Sequence, residues 1–238
     1  MSKNKKFNLM RVTFSAFLLA GTTACSKLLP EDPYKGLHGL MYEGLDGPIL
    51  ADVENPIGIV VKNATETEQL KIKSVIDQMN GFCPNLDFTF TDKNNISIEN
   101  KIFVETNYQF KDEGGLTFQT GKVTIRADKF GCKIKYPVYL YINTELIDLF
   151  EKQWKKDDIY THVLKHELMH TLGFCDQADI WFKDKTIMYK ETTYDGLFDF
   201  TQMDINNINR LYGADSVIVK HPKKLDVEYY KKEEELEM

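Results

Sequence analysis

His166, Glu167 and His170 stand in the run His-Glu-Leu-Met-His, an HExxH within a stretch of helical apolar spacing. On a helix, residues four apart lie one turn above each other, so both imidazoles can reach a single metal ion. Glu167, directly after the first histidine, sits where its carboxylate can accept a proton from a zinc-bound water. Three of the chain's five histidines, His162, His166 and His170, fall within nine residues. Two ligands do not make a catalytic zinc site, and a third must come from elsewhere. In Thr171-Leu172-Gly173-Phe174-Cys175-Asp176, Gly173 can end the helix in the left-handed conformation and reverse the chain. Asp176, ten residues after His166, then returns to the metal. Cys175 is the neighbouring alternative, since thiolate is a good zinc donor. Glu191 is a further one, 21 residues beyond His170 in loop-like surroundings (YKETTYDG). His162, one turn before His166, reads as a packed or partly exposed histidine.

These side chains need a scaffold, and the 238-residue chain is long enough for one domain with a sizeable core. Pro56–Val61 (PIGIVV) is a short apolar run of strand type. Thr65–Asn80 fits a helix, with Thr65 and Glu68 at capping-box spacing and Ile72, Val75, Ile76 and Met79 on one face. Gly81 stands where a C-cap belongs. Leu86–Thr91, Lys101–Thr106, Leu116–Asp128 and Val138–Asn143 alternate or run apolar as strands do. Gly114-Gly115 and Gly121 punctuate them as turns. Asp157–Leu172 is the predicted helix carrying HExxH, with Asp157 or Asp158 as its N-cap and Gly173 beyond its end. After an irregular stretch to Phe200, Thr201–Tyr212 is a last helix. Thr201 and Asp204 have capping-box spacing, Ile205, Ile208 and Leu211 form the apolar face, and Gly213 is the terminator.

Charge is unevenly distributed along the chain. Residues 1–24 hold Lys3, Lys5, Lys6 and Arg11 and no acid; without these four, 26 basic residues face 36 acidic ones, a net charge of −10. So acidic a body argues against a nucleic-acid partner, because phosphate affinity comes chiefly from Lys and Arg. The basic start and the nine-residue apolar run Val12–Ala20 read as a signal peptide, too short to span a bilayer. It leads into Thr22-Thr23-Ala24-Cys25, which resembles a bacterial lipobox with Thr22 in place of the usual Leu. The expected organisation is a signal peptide (1–24), a lipidated Cys25 with tether (25–55), a catalytic domain (56–213) and a charged tail (214–238). Membrane attachment in the cell envelope would run through the lipid on Cys25, with a soluble secreted form as the alternative. Cys83 and Cys132 are plausible disulfide partners in an exported protein.

Written in full, HELMHTLGFCD is HExxHxxGxxD. This resembles the metzincin zinc endopeptidases, which carry HExxHxxGxxH, and among them a subset similar to the snapalysins, with Asp in the last place. Thr186-Ile187-Met188-Tyr189 looks like the metzincin Met-turn in the form the matrixins use. Thr201–Gly213 (TQMDINNINRLYG) is similar to the matrixin C-terminal helix. The resemblance spans about residues 56–213. It implies an α+β, metzincin-like zincin: a twisted mixed sheet, an active-site helix and a small C-terminal subdomain ending in a helix. It further implies one catalytic Zn²⁺ on His166, His170 and Asp176, with Met188 beneath and Glu167 as general base. The expected activity is a zinc metalloendopeptidase, assumed monomeric, acting on protein or peptide substrates through a Glu-assisted zinc-bound water. The substrate would lie along an edge strand within Leu116–Asp128, beside a pocket formed by roughly Lys190–Phe200, with Tyr189 and Tyr194 lining the cleft. Two departures stand out: Asp176 is a harder, anionic donor than histidine, and Lys190 occupies the place of a zinc-binding Tyr found in some metzincins. Two other readings accompany this one. One is a binding lipoprotein that keeps the fold without turnover; the other is a metallohydrolase of another HExxH clan that uses Glu191.

Overall fold

Alternation in the strands sorts side chains onto two faces of one sheet. A computed structural model describes residues 39–44, 47–112, 115–116, 119–127, 133–155, 158–190 and 199–214. The chain divides into two units, Met1–Glu31 and Asp32–Met238, and every described residue belongs to the second. The signal peptide, Cys25, Cys132, Glu191, Tyr194 and residues 215–238 of the tail lie outside the described residues.

The fold is α+β, with a five-stranded mixed sheet and, among the described residues, four α-helices. A two-residue hairpin, β1 (Glu43–Gly44) with β2 (Gly47–Pro48), precedes the sheet. The sheet takes β3 (Ile57–Lys62), β4 (Phe88–Phe90) and β5 (Asn100–Glu105), then β8 (Gly121–Thr124) and β9 (Val138–Ile142). Its order is β4-β3-β5-β9-β8; the first four run parallel and β8 is antiparallel at one edge. A small pair, β6 (Lys111–Asp112) and β7 (Gly115–Leu116), stands apart. Ile57, Ile59, Ile102, Val104, Val138, Leu140 and Ile142 point into the core. The alternate residues Phe103, Tyr139 and Tyr141 form a stacked row on the opposite face, with ring centroids 5.3 and 6.4 Å apart.

Helix α1 (Glu66–Phe82) starts at the expected capping box, Thr65 Oγ1 accepting from Glu68 N and Glu68 Oε2 from Thr65 N. It buries Ile72, Val75, Ile76 and Met79 and runs through Gly81, so the C-cap is Cys83. Cys83 is buried, and its suggested partner Cys132 lies outside the described residues. Helix α3 (Ile159–His170) begins after Asp158, which is left-handed (φ +79°) and caps with no side-chain hydrogen bond. Helix α4 (Gln202–Tyr212) has the expected Thr201–Asp204 capping box. No described helix is long and apolar enough to cross a membrane.

Three corrections concern chain segments. The predicted strand Leu116–Asp128 divides into β7 and β8, and Gly121 opens β8 instead of making a turn. Between β9 and α3 lies an unexpected helix, α2 (Thr144–Trp154), with Asn143 Oδ1 accepting from Leu146 N and Lys155 as a left-handed C-cap. The stretch expected to be tether up to residue 55 is part of the domain from Gly39 onward. Met41, Leu50 and Ala51 are core residues, and Ile134 N donates to Leu50 O. Removing the buried Leu50 side chain leaves a cavity, so Leu50→Ala is expected to cost about 3 kcal/mol in urea unfolding. A tether would tolerate the change, and unaltered stability would contradict this packing.

Candidate metal centre

Helix α3 is buried almost all round, and this fixes where its histidines point. Val163, Leu164, Leu168 and Met169 pack into the core. Lys165, on the side facing Asp199 and Phe200, is buried in an ion pair with Asp199 at 2.5 Å, its Nζ 5.3 Å from the Phe200 ring. His166 and His170 therefore project together, their rings edge to face at 4.8 Å. His166 Nδ1 donates to Ile187 O at 2.8 Å, and His170 Nδ1 donates to Phe174 O at 2.7 Å. With each Nδ1 proton engaged, each Nε2 lone pair is turned outward to a common point.

Asp176 reaches that point from the following loop. Its Oδ1 lies 3.0 Å from His166 Nε2 and 3.5 Å from His170 Nε2. Gly173 makes the reversal at φ +93°, and a Cβ there would stand 2.2 Å from Ile49 O, so both the angle and the space require glycine. The loop is held on two sides. Tyr42 N donates to Gly173 O (2.8 Å), Cys175 N to Leu40 O (3.0 Å) and Gln177 Nε2 to Gly39 O (3.0 Å). On the other side, Gln177 N donates to Met188 O and Lys190 N to Gln177 O, at 2.8 and 3.1 Å. The segment from Gly39 to Ile49 thus braces the loop that carries Asp176.

The turn Thr186–Tyr189 lies beneath His166, with Met188 buried in the core. Asp204 of α4 holds it. Its carboxylate accepts from Thr186 Oγ1 in a short hydrogen bond, from Ile187 N (3.1 Å) and from Thr201 N (2.9 Å). At the far end of α4, Tyr212 Oη donates to Leu172 O (2.6 Å) and accepts from Ala51 N (3.1 Å). The last helix therefore ties together the turn, the residues just after α3 and Ala51, next to the bracing segment.

Burial pushes the Glu167 carboxyl upward in pKa, opposed by the two histidines and reinforced by Asp176. The adjacent rings of His166 and then His170 hold the Asp176 carboxyl well below the usual carboxylate range. Gly121 is the strand residue against Glu167: a Cβ there would meet Glu167 Oε1 at 2.5 Å and Val163 Cγ1 at 2.7 Å. Tyr42 Oη is 3.3 Å from His170 Nδ1, its phenol raised to about 12 by burial and by nearby Asp176. These groups line a cleft of about 650 Å³, which Tyr189 and Lys190 also border.

Among the described residues, His166, His170 and Asp176 form a cluster suited to a metal ion, with donor atoms within 4.8 Å of one another. Tetrahedral zinc with donors at 2.0–2.2 Å places them about 3.3–3.6 Å apart. The separations from Asp176 Oδ1, 3.0 and 3.5 Å, are close to that, while the donor set as a whole spans up to 4.8 Å. Cys175 Sγ is 3.5 Å from Gly39 O and 3.5 Å from Gln177 Nε2, on the bracing side, and is not in the cluster. Tyr42 and Gly121 had no part in the sequence-based site: nothing in the spacing around Tyr42 ties it to a helix 128 residues away. The chain matches no protein-family model and no curated protein.

Because Asp204 is buried and holds the turn by several hydrogen bonds, Asp204→Ala strands its partners. The expected cost is about 3 kcal/mol, read from chemical or thermal unfolding. A loss below 0.5 kcal/mol, about the scale of a surface change, would contradict the tie.

Proposed function

We propose that this chain is a zinc-dependent endopeptidase of the metzincin type, exported and lipid-anchored at Cys25. The observation that carries the reading is the convergence of His166 Nε2, His170 Nε2 and Asp176 Oδ1 beside the buried Glu167 at the open end of an edge strand. Further support comes from the mixed sheet, the turn at Met188 and the helix Gln202–Tyr212. These agree with what the sequence resemblance implies.

A zinc ion on the three side chains would supply a Lewis acid that polarises the scissile carbonyl and acidifies a water. The rest of the chemistry belongs to the protein. Glu167 accepts a proton from the attacking water and returns it to the leaving amine. The carbonyls of Ile187 and Phe174 keep His166 and His170 in the tautomer that leaves Nε2 free to ligate. Strand β8 pairs on one side with β9, and the run from Gln119, just before the strand, to Val123 within it borders the cleft. An extended peptide can add to the other side by main-chain hydrogen bonding. Gly121 leaves room there for the glutamate against the strand.

Glu167→Ala should retain zinc while kcat/KM for peptide cleavage falls by about 10²- to 10⁴-fold. Zinc content and hydrolysis of a mixed peptide library, measured on the same preparation, check this. Undiminished cleavage by the zinc-loaded variant would rule the mechanism out.

A further inference from the structure

The loop that carries Asp176 continues into an exposed apolar tip. Asp179 caps a short 3-10 helix, Ile180–Phe182, its Oδ1 accepting from Trp181 N at 2.8 Å. Lys183 N donates to Ile180 O, and Lys185 N and Thr186 N donate to Phe182 O, so the backbone of the tip is held by its own hydrogen bonds. Gln177 pairs with Tyr189 across its base. Ile180 and Trp181 nevertheless face water, 70% and 55% exposed. Lys185 Nζ lies 3.3 Å from the centre of the Trp181 ring, and Phe182 meets that ring edge to face at 4.8 Å. Single exposed apolar residues are ordinary. A fixed turn that sets Trp beside Ile, with a lysine against the indole, has the composition of an interfacial membrane anchor.

Size and position select a lipid surface over a protein partner. A stable protein interface buries roughly 800 Å² on each side. One tryptophan supplies about 150–250 Å², so this tip is too small for such an interface and suits insertion among headgroups. Gly39, on the Cys25 side of the domain's chain, is held beside the tip: its carbonyl accepts from Gln177 Nε2 at 3.0 Å, three residues before Ile180. Cys25 precedes Gly39 by 14 residues, a reach of at most about 50 Å. The chain from Cys25 onward carries a net charge of −10 and gains nothing from an anionic leaflet, so apolar insertion must supply the contact. We infer that Ile180 and Trp181 insert into the interface of the membrane that holds the Cys25 lipid, with the Lys185 ammonium at the headgroups. The partner is a phospholipid surface, and docking there holds the Asp176 loop against it. The inference rests on the proposed anchor at Cys25 for its orientation; insertion of the tip does not depend on peptide cleavage.

Two arms test it. The chain has two tryptophans, so Trp154→Phe leaves Trp181 as the sole reporter and Trp181→Phe leaves Trp154. In the first arm, the full chain, its Cys25 lipid checked by mass spectrometry, is placed in vesicles of phosphatidylethanolamine and phosphatidylglycerol. Trp181 emission should shift to the blue of the same variant carrying Cys25→Ala in buffer. Lipids brominated near the headgroup end of their acyl chains should quench Trp181 and leave Trp154 unquenched. In the second arm, the unacylated Cys25→Ala chain is sedimented with the same vesicles. Ile180→Ser and Trp181→Ser together should lower its partition coefficient about tenfold or more. Leu70→Ser, 68% exposed on α1, should leave it unchanged. An unaltered unfolding midpoint shows that each variant is folded.

Trp181 left in water on the vesicles overturns the insertion and returns the tip to a protein partner. A partition coefficient that the double change leaves alone does the same. If Cys25 carries no lipid, the anchor reading fails and the second arm decides the insertion alone. Vesicle binding lost with the tip then upholds it, and binding that is absent or indifferent to the tip overturns it.

Discussion

Two main-chain carbonyls, Ile187 O and Phe174 O, hold His166 and His170 by their Nδ1 protons, and the centre depends on that restraint. The helix alone puts both rings on one face but leaves each free to rotate. Each carbonyl comes from a different segment: Phe174 from the loop after α3, Ile187 from the turn that α4 secures. Both segments must be in place before the two Nε2 atoms and Asp176 can meet. That is why so much of the sequence outside HExxH is spent on positioning: Gly173 at φ +93°, the bracing residues Gly39–Ile49, and Asp204 beneath the turn.

Two buried carboxylates play opposite parts. Asp204 accepts hydrogen bonds from Thr186, Ile187 and Thr201 and has a purely structural environment. Glu167 is also buried but opens onto the cleft and onto two histidines, and burial raises its proton affinity. The same residue chemistry is thus locked in one place and left reactive in the other. In the proposed endopeptidase, Glu167 can move a proton while the frame around it stays fixed.

The convergence of His166, His170 and Asp176 was legible in the sequence because its signals are local. HExxH, Gly173 and Asp176 fall within eleven residues, and the capping boxes at Thr65 and Thr201 mark their helices by short spacing. The parallel strands were legible from apolar runs. The missing parts are those that act at long range or lie where one pattern runs into another. Helix α2 follows β9 with no break: Asn143 ends the strand and caps the helix, so its apolar face at Ile147, Phe150 and Trp154 merged with the strand signal. Residues 39–51 show no period, since Met41, Leu50 and Ala51 enter the core singly through a short hairpin and bridges. Tyr42 reaches the site only because that segment crosses the loop at Gly173. Gly121 read as a turn because glycine in a strand carries no pattern, while its actual requirement is the space taken by Glu167.

Zinc K-edge X-ray absorption on the full chain, purified without chelator, tests the centre most directly. The account predicts one zinc per chain with only nitrogen and oxygen neighbours at about 2.0–2.2 Å, and outer-shell scattering from two imidazoles. A sulfur neighbour at about 2.3 Å would move the third ligand to Cys175 and contradict it. So would a protein that holds no zinc.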